Sequence, residues 1–113
     1  MGKNLRLSKN CIKVLYDNLT KKQKLILKTI GDLDVGSKTD IKNTIRQRFK
    51  ENDVSANPDQ YWFDIGLYNL DAVLFVSSTK SSTKVIRRLT DEGVYAYTKF
   101  ILEIDNVNDT ALL

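Results

Sequence analysis

The chain has 113 residues, a length that suits one domain built around one hydrophobic core. Its 42% apolar and 28% charged residues, with one proline and five glycines, exclude a collagen, a low-complexity chain and disorder throughout. The formal charge is +4, and the cysteine and histidine inventory is bare: Cys11 alone and no His rule out a Ser-His triad, a Cys-His pair, a multi-cysteine zinc site and any imidazole ligand.

In chain order, Ser8 is a candidate N-cap for a short helix over 8–19, where Cys11, Ile12, Val14, Leu15 and Leu19 recur at helical intervals. Thr20-Lys21-Lys22-Gln23 has capping-box spacing and opens a helix carrying Leu25, Ile26, Leu27 and Ile30, which Gly31 is expected to stop through a left-handed C-cap. A further start at Ser37 or Thr39 precedes Ile41, Ile45 and Phe49 on one helical face and Lys42, Arg46 and Lys50 on another. Residues 51–57 are polar and turn-like. Asn57-Pro58 then suits the entry to a helix over Asp59–Leu74 that buries Phe63, Leu67, Leu70 and Leu74.

Next, the doubled Ser-Ser-Thr-Lys unit of residues 77–84 reads as the tip of a β-hairpin, with Val85–Leu89 as the returning strand. For Val94–Ile104 the pattern is ambiguous, since Val94, Tyr97, Ile101 and Ile104 fit a helix while alternate residues fit a strand. If helical, the segment is apolar on several sides and asks for burial against a second surface, such as a partner subunit. Residues 105–113 are expected to form a loosely ordered tail.

The longest apolar run, Ala72–Val76, is far too short to cross a bilayer, and Met1–Arg6 lacks the apolar stretch of a signal peptide, so a cytoplasmic protein with no membrane partner is expected. Charge is unevenly distributed. Met1–Lys50 holds 13 Lys and Arg against four Asp, whereas Glu51–Thr79 holds five acidic residues and no base. A basic N-terminal half suits nucleic acid, and equally a solvated helical surface. The nucleic-acid reading requires these bases and those of the hairpin to converge on one surface.

Three helices, a hairpin and a closing segment, together with several strings, resemble the winged helix-turn-helix superfamily. Leu19-Thr20-Lys21-Lys22-Gln23-Lys24 resembles the start of the first core helix of small bacterial and archaeal regulators. Leu67-x-x-Leu70-x-x-x-Leu74-Phe75-Val76 is similar to the L-x-x-L-x-x-x-G-L-V that ends the recognition helix, with Leu74 in place of the family's glycine. Arg88-Leu89-Thr90-Asp91-Glu92-Gly93 is similar to the R-L-T-x-x-G string that follows the wing in MarR-like and PadR-like regulators.

The resemblance implies an α+β winged helix-turn-helix across about residues 19–104, with a three-helix core, a two-stranded β wing and N- and C-terminal helices. It makes Val94–Ile104 helical. It also implies a DNA-binding transcription regulator acting as a homodimer through the N-terminal segment and the last helix; no catalytic residue, metal or cofactor is expected from the Cys and His inventory and the scattered acidic residues, a carboxylate-dependent enzyme being the third and weakest reading. The third helix would then enter the major groove with Asn57, Gln60, Tyr61 and Tyr68 facing the duplex, Lys80 and Lys84 would meet the backbone from the wing, and Lys38 and Lys42 would flank phosphates. Family recognition helices usually carry Lys or Arg, and this one carries none. Asp59, Asp64 and Asp71 together with Tyr61, Trp62, Ile65 and Tyr68 therefore also fit a protein-binding module, or, for the aromatic residues, plain core packing.

Overall fold

A computed structural model describes residues 5–55, 58 and 61–104. Asn57, Gln60 and the tail at 105–113 lie outside the described residues. The described chain is α+β: α1 (Lys9–Asp17), α2 (Lys21–Leu33), β1 (Val35–Ser37), α3 (Lys38–Glu51), α4 (Tyr61–Ala72), β2 (Val76–Ser81), β3 (Lys84–Leu89) and α5 (Asp91–Ala96), which runs on into a π-helical segment, Tyr97–Ile104. The strands form one antiparallel sheet in the order β1-β3-β2. No described helix is long and apolar enough to cross a membrane.

Helix starts follow the hydroxyl caps. Ser8 accepts from the Cys11 amide, and Thr20 and Ser37 each form a reciprocal capping box, with Gln23 and Asp40 respectively. Helix ends depart more from expectation. Gly31 does not stop α2, which continues to Leu33 with Asp34 as its C-cap at φ 70°. A Cβ on Gly31 would fall 2.4 Å from the Tyr97 ring, so this glycine serves close packing of the last segment against α2.

Both α3 and α4 close with Schellman geometry. Val54 N–H donates to Phe49 O at 2.9 Å and Asp53 N–H to Lys50 O at 3.4 Å, while Phe75 N–H donates to Leu70 O at 2.9 Å and Leu74 N–H to Asp71 O at 3.0 Å. The C′ residues Asp53 and Leu74 accordingly take left-handed φ values of 55° and 69°. Leu74 thus keeps the backbone conformation that the family's glycine would supply, and its side chain is exposed where the helical pattern expects it in the core. Asp53 is exposed, so Asp53→Gly should raise stability by roughly 0.5–1 kcal/mol in urea denaturation, because glycine enters this region without steric cost.

The two-stranded wing becomes three strands, because Val35–Ser37 pairs with β3 in the register Val35↔Arg88, Gly36↔Arg87, Ser37↔Ile86. The hairpin closes through Ser82-Thr83 with Ser81 opposite Lys84, and Ser82 takes φ 58°, as the first position of a type II′ turn requires.

The core gathers Leu25, Ile26 and Ile30 of α2, Ile41, Ile45 and Phe49 of α3, Phe63, Leu67 and Leu70 of α4, and Phe75. From the last segment it takes Ala96, Phe100 and Ile101, whereas Val94 and Tyr97 are half-buried; the π turn shifts the inward face away from the 3.6-residue pattern. The second surface this segment needs comes from α1 of the same chain. Tyr16 is buried with its ring 5.1 Å from that of Phe100, and Ile12 is buried beside it in the core.

Candidate nucleic-acid interface

Ser37 ends β1 and caps α3, so Lys38 is the first helical residue beside the β1–β3 ladder, one position beyond the Ser37↔Ile86 pair. Lys42 stands one turn further along the same helix face. Helix α4 lies across this corner, and Lys38 Nζ reaches Asp64 Oδ1 at 2.5 Å. The hydrogen bond from the Lys38 ammonium holds the Asp64 carboxyl below its usual range against the opposing effect of desolvation, with smaller support from the charges of Lys38, Lys42 and Arg87.

Arg87 reaches the same corner from β3. It stands opposite Ser78 on β2, and Lys38, Asp64, Tyr68, Asp71, Ser78 and Arg87 line a groove of about 270 Å³. A second groove of about 540 Å³ separates the start of α3 from the hairpin, with Lys38, Thr39, Thr83, Lys84 and Arg87 in its walls. There the Ser37 backbone N–H and hydroxyl hold the Asp40 carboxyl low, and the nearby charge of Lys84 adds to the effect. Lys80 pairs with Val85 and, by the two-residue period of a strand, shares the hairpin face of Ser78 and Arg87.

Of the expected site residues, Lys38, Tyr68 and Lys84 line these two grooves, Lys42 lies over the Phe63 ring near Asp64, and Lys80 lies exposed along the same hairpin. Tyr61 is on the same outward stripe of α4 but at its far end, where a groove of about 330 Å³ is lined by Thr20, Lys22, Gln23, Trp62 and Ile65. Arg87 escaped the sequence reading. The Arg87-Arg88 pair in a strand sends one side chain to each face, but which face meets α4 depends on the β1 pairing, which three residues do not announce.

Among the described residues, the wider convergence of bases does not occur. Lys28 and Arg48 converge on Asp32, at 2.9 and 2.7 Å, and Asp32 also accepts the Tyr97 hydroxyl at 2.5 Å. Burial and this carboxylate push the Tyr97 phenol up to about 12. Lys13 pairs with Asp17, and Lys9, Lys22 and Lys24 lie over the rings of Tyr95, Trp62 and Tyr16. Much of the basic N-terminal half is therefore spread over other surfaces, so the full convergence that the nucleic-acid reading asked for is not met, and what remains for that reading is the smaller set Lys38, Lys80, Lys84 and Arg87, with Lys42 over the Phe63 ring and near Asp64.

Outward from α4 run Tyr61, Ile65 and Tyr68, which are 76%, 49% and 73% exposed, with Asp64 and Asp71 among them. Trp62 instead leans on the core, its ring 6.3 Å from Phe49 and 6.2 Å from Phe63. No cluster of His, Cys, Asp and Glu suited to a metal occurs among the described residues. Comparison with protein-family models, curated proteins and solved structures found no match.

Proposed function

We propose that the protein is a winged helix-turn-helix that binds double-stranded DNA as a transcription regulator, with α4 toward the major groove and the β2–β3 hairpin along the backbone. The element order α2-β1-α3-α4-β2-β3 and the strand order β1-β3-β2 support the fold. One observation carries the function: Lys38 of α3 and Arg87 of the hairpin, far apart in sequence, meet beside the outward face of α4, with Lys84 in the wall of the neighbouring groove. Phosphate neutralisation by such side chains supplies most of the affinity for a duplex, and the serine and threonine hydroxyls beside them are suitable phosphate donors.

Titration of a mixed-sequence duplex at low and moderate salt tests this reading. Binding should weaken steeply with salt. Lys80→Ala combined with Lys84→Ala should lower affinity about tenfold or more at low salt and flatten the logarithmic salt slope by roughly 2, at about 0.9 per phosphate contact. A second reading is favoured by the exposure of Tyr61, Ile65 and Tyr68, side chains typical of protein-binding anchors. Undetectable duplex binding at low salt would replace the first reading with the second.

A further inference from the structure

Asp64 and Asp71 both oppose the proposed use of the α4 face, and of the two Asp64 is seen in contact with a cation. Asp64 sits on the outward stripe between Tyr61 and Tyr68, its carboxylate reaches Lys38 on another helix, and it shares a groove with Arg87. The Lys38 and Asp64 side chains are 44% and 55% exposed. An ion pair this open contributes little to folding, so its main consequence is electrostatic.

We infer that Asp64 is an internal competitor for the phosphate-binding cations, engaging Lys38 in the free protein and so restraining affinity for duplexes of arbitrary sequence. This rests on the nucleic-acid reading and deepens it. A phosphate approaching Lys38 must displace a carboxylate already in contact with it and then remain beside that negative charge. Lys42 and Arg87 are subject to the same carboxylate because they border the same corner. Asp64 thereby acts as a specificity-determining residue: backbone contacts alone gain too little at this corner, and productive binding depends more heavily on contacts to base edges made elsewhere along α4.

The test compares the whole chain with Asp64→Asn, Asp71→Asn and the double variant Asp64→Asn with Lys38→Ala, each titrated with one mixed-sequence duplex over a series of salt concentrations. Asp64→Asn should bind several-fold to about tenfold tighter at low salt, with a logarithmic salt slope steeper by roughly 1, the signature of one additional phosphate contact. Asp71→Asn makes the same charge change on the same helix and should have a clearly smaller effect. Removing Lys38 should abolish the gain. Asp64→Ser, which discards the charge with a different shape, should match Asp64→Asn, and circular dichroism should show all variants folded.

If the unaltered chain binds and Asp64→Asn binds identically, the inference falls while the nucleic-acid reading stands. An equal gain in Asp71→Asn, or a gain that survives loss of Lys38, also overturns it, since either would reduce the effect to net charge. If no variant binds at low salt, both fall together. Binding by Asp64→Asn but not by the unaltered chain would show the competition and overturn the nucleic-acid reading of the unaltered protein.

Discussion

Gly93→Ala is expected to lower stability by about 3 kcal/mol and the melting temperature by roughly 10–20 °C. A Cβ at this position would stand 1.9 Å from the carbonyl oxygen of Phe75 and 2.9 Å from its carbon, so the obstacle is backbone. Phe75 has no room to retreat. Its ring is fully buried, its N–H closes α4 on Leu70 O, and its carbonyl accepts the Thr90 N–H at 3.1 Å. Gly93 is equally fixed, because its own N–H donates to the Thr90 hydroxyl at 3.0 Å and that hydroxyl donates in turn to Leu74 O.

These contacts give the Leu89-Thr90-Asp91-Glu92-Gly93 string its physical meaning. Threonine caps α5 and staples it to the end of α4, and glycine lets the helix come close enough for the staple to close. Gly66→Ala is the internal control. There an added Cβ would meet the Ile26 Cδ1 atom at 2.6 Å, the movable end of a side chain, and alanine's helix propensity returns part of the loss. Thermal denaturation of both variants decides the matter, and equal losses would refute the backbone clash as the cause.

What the sequence made legible was chiefly local. The capping box at Thr20 and a start at Ser37 or Thr39 could be read because a cap and its partner lie three residues apart, and the structure settles the second start on Ser37. Inward faces of α3 and α4 follow from 3.6-residue spacing and appear as expected, apart from Leu74. Features that depend on a distant partner were not legible. β1 is three residues long and exists because β3 lies beside it, so no periodicity betrays it.

Gly31 looks like a helix stop until the Tyr97 ring, supplied from much later in the chain, occupies the space above it. At the interface the same division holds. Exposure of Tyr61, Asp64 and Tyr68 was readable from helix phase, but the pairing of Asp64 with Lys38 joins two helices whose relative placement no local pattern encodes. The absence of Lys and Arg from α4 was visible from the start; that Lys38, Lys42 and Arg87 surround one of its carboxylates was not.

Glu92→Ala should remove about 2 kcal/mol at neutral pH and make stability less sensitive to acid. Glu92 sits in the first turn of α5 and is almost wholly buried, with the Arg6 backbone N–H donating to Oε2 and Arg6 Nη2 3.9 Å from Oε1. Burial alone would push this carboxyl up. The Arg6 N–H, its own amide, the Arg6 charge and the Leu7 N–H act the other way, and the net position is below the ordinary value of about 4.5.

A carboxyl whose pKa is lower in the folded state binds fewer protons there than in the unfolded chain. Its stabilisation is therefore fully present above about pH 4.5 and disappears as pH falls through the folded value. Asp32, Asp40 and Asp64 are also held low, so some acid sensitivity will persist in the variant. The distinguishing quantity is the difference between the unaltered chain and Glu92→Ala in urea unfolding, expected to be large at pH 7 and to shrink as the pH falls below about 4.5, so that it is smaller near pH 3. Glu92→Gln keeps one acceptor oxygen for the Arg6 N–H and should fall between them at pH 7. Because Leu5 and Leu7 flank this contact and pack against the core, losing the carboxylate should also release the N-terminal strap, seen as faster amide exchange at residues 5–7 than at α2. An equal difference at both pH values would assign the loss to packing and remove the ionised carboxylate from the account.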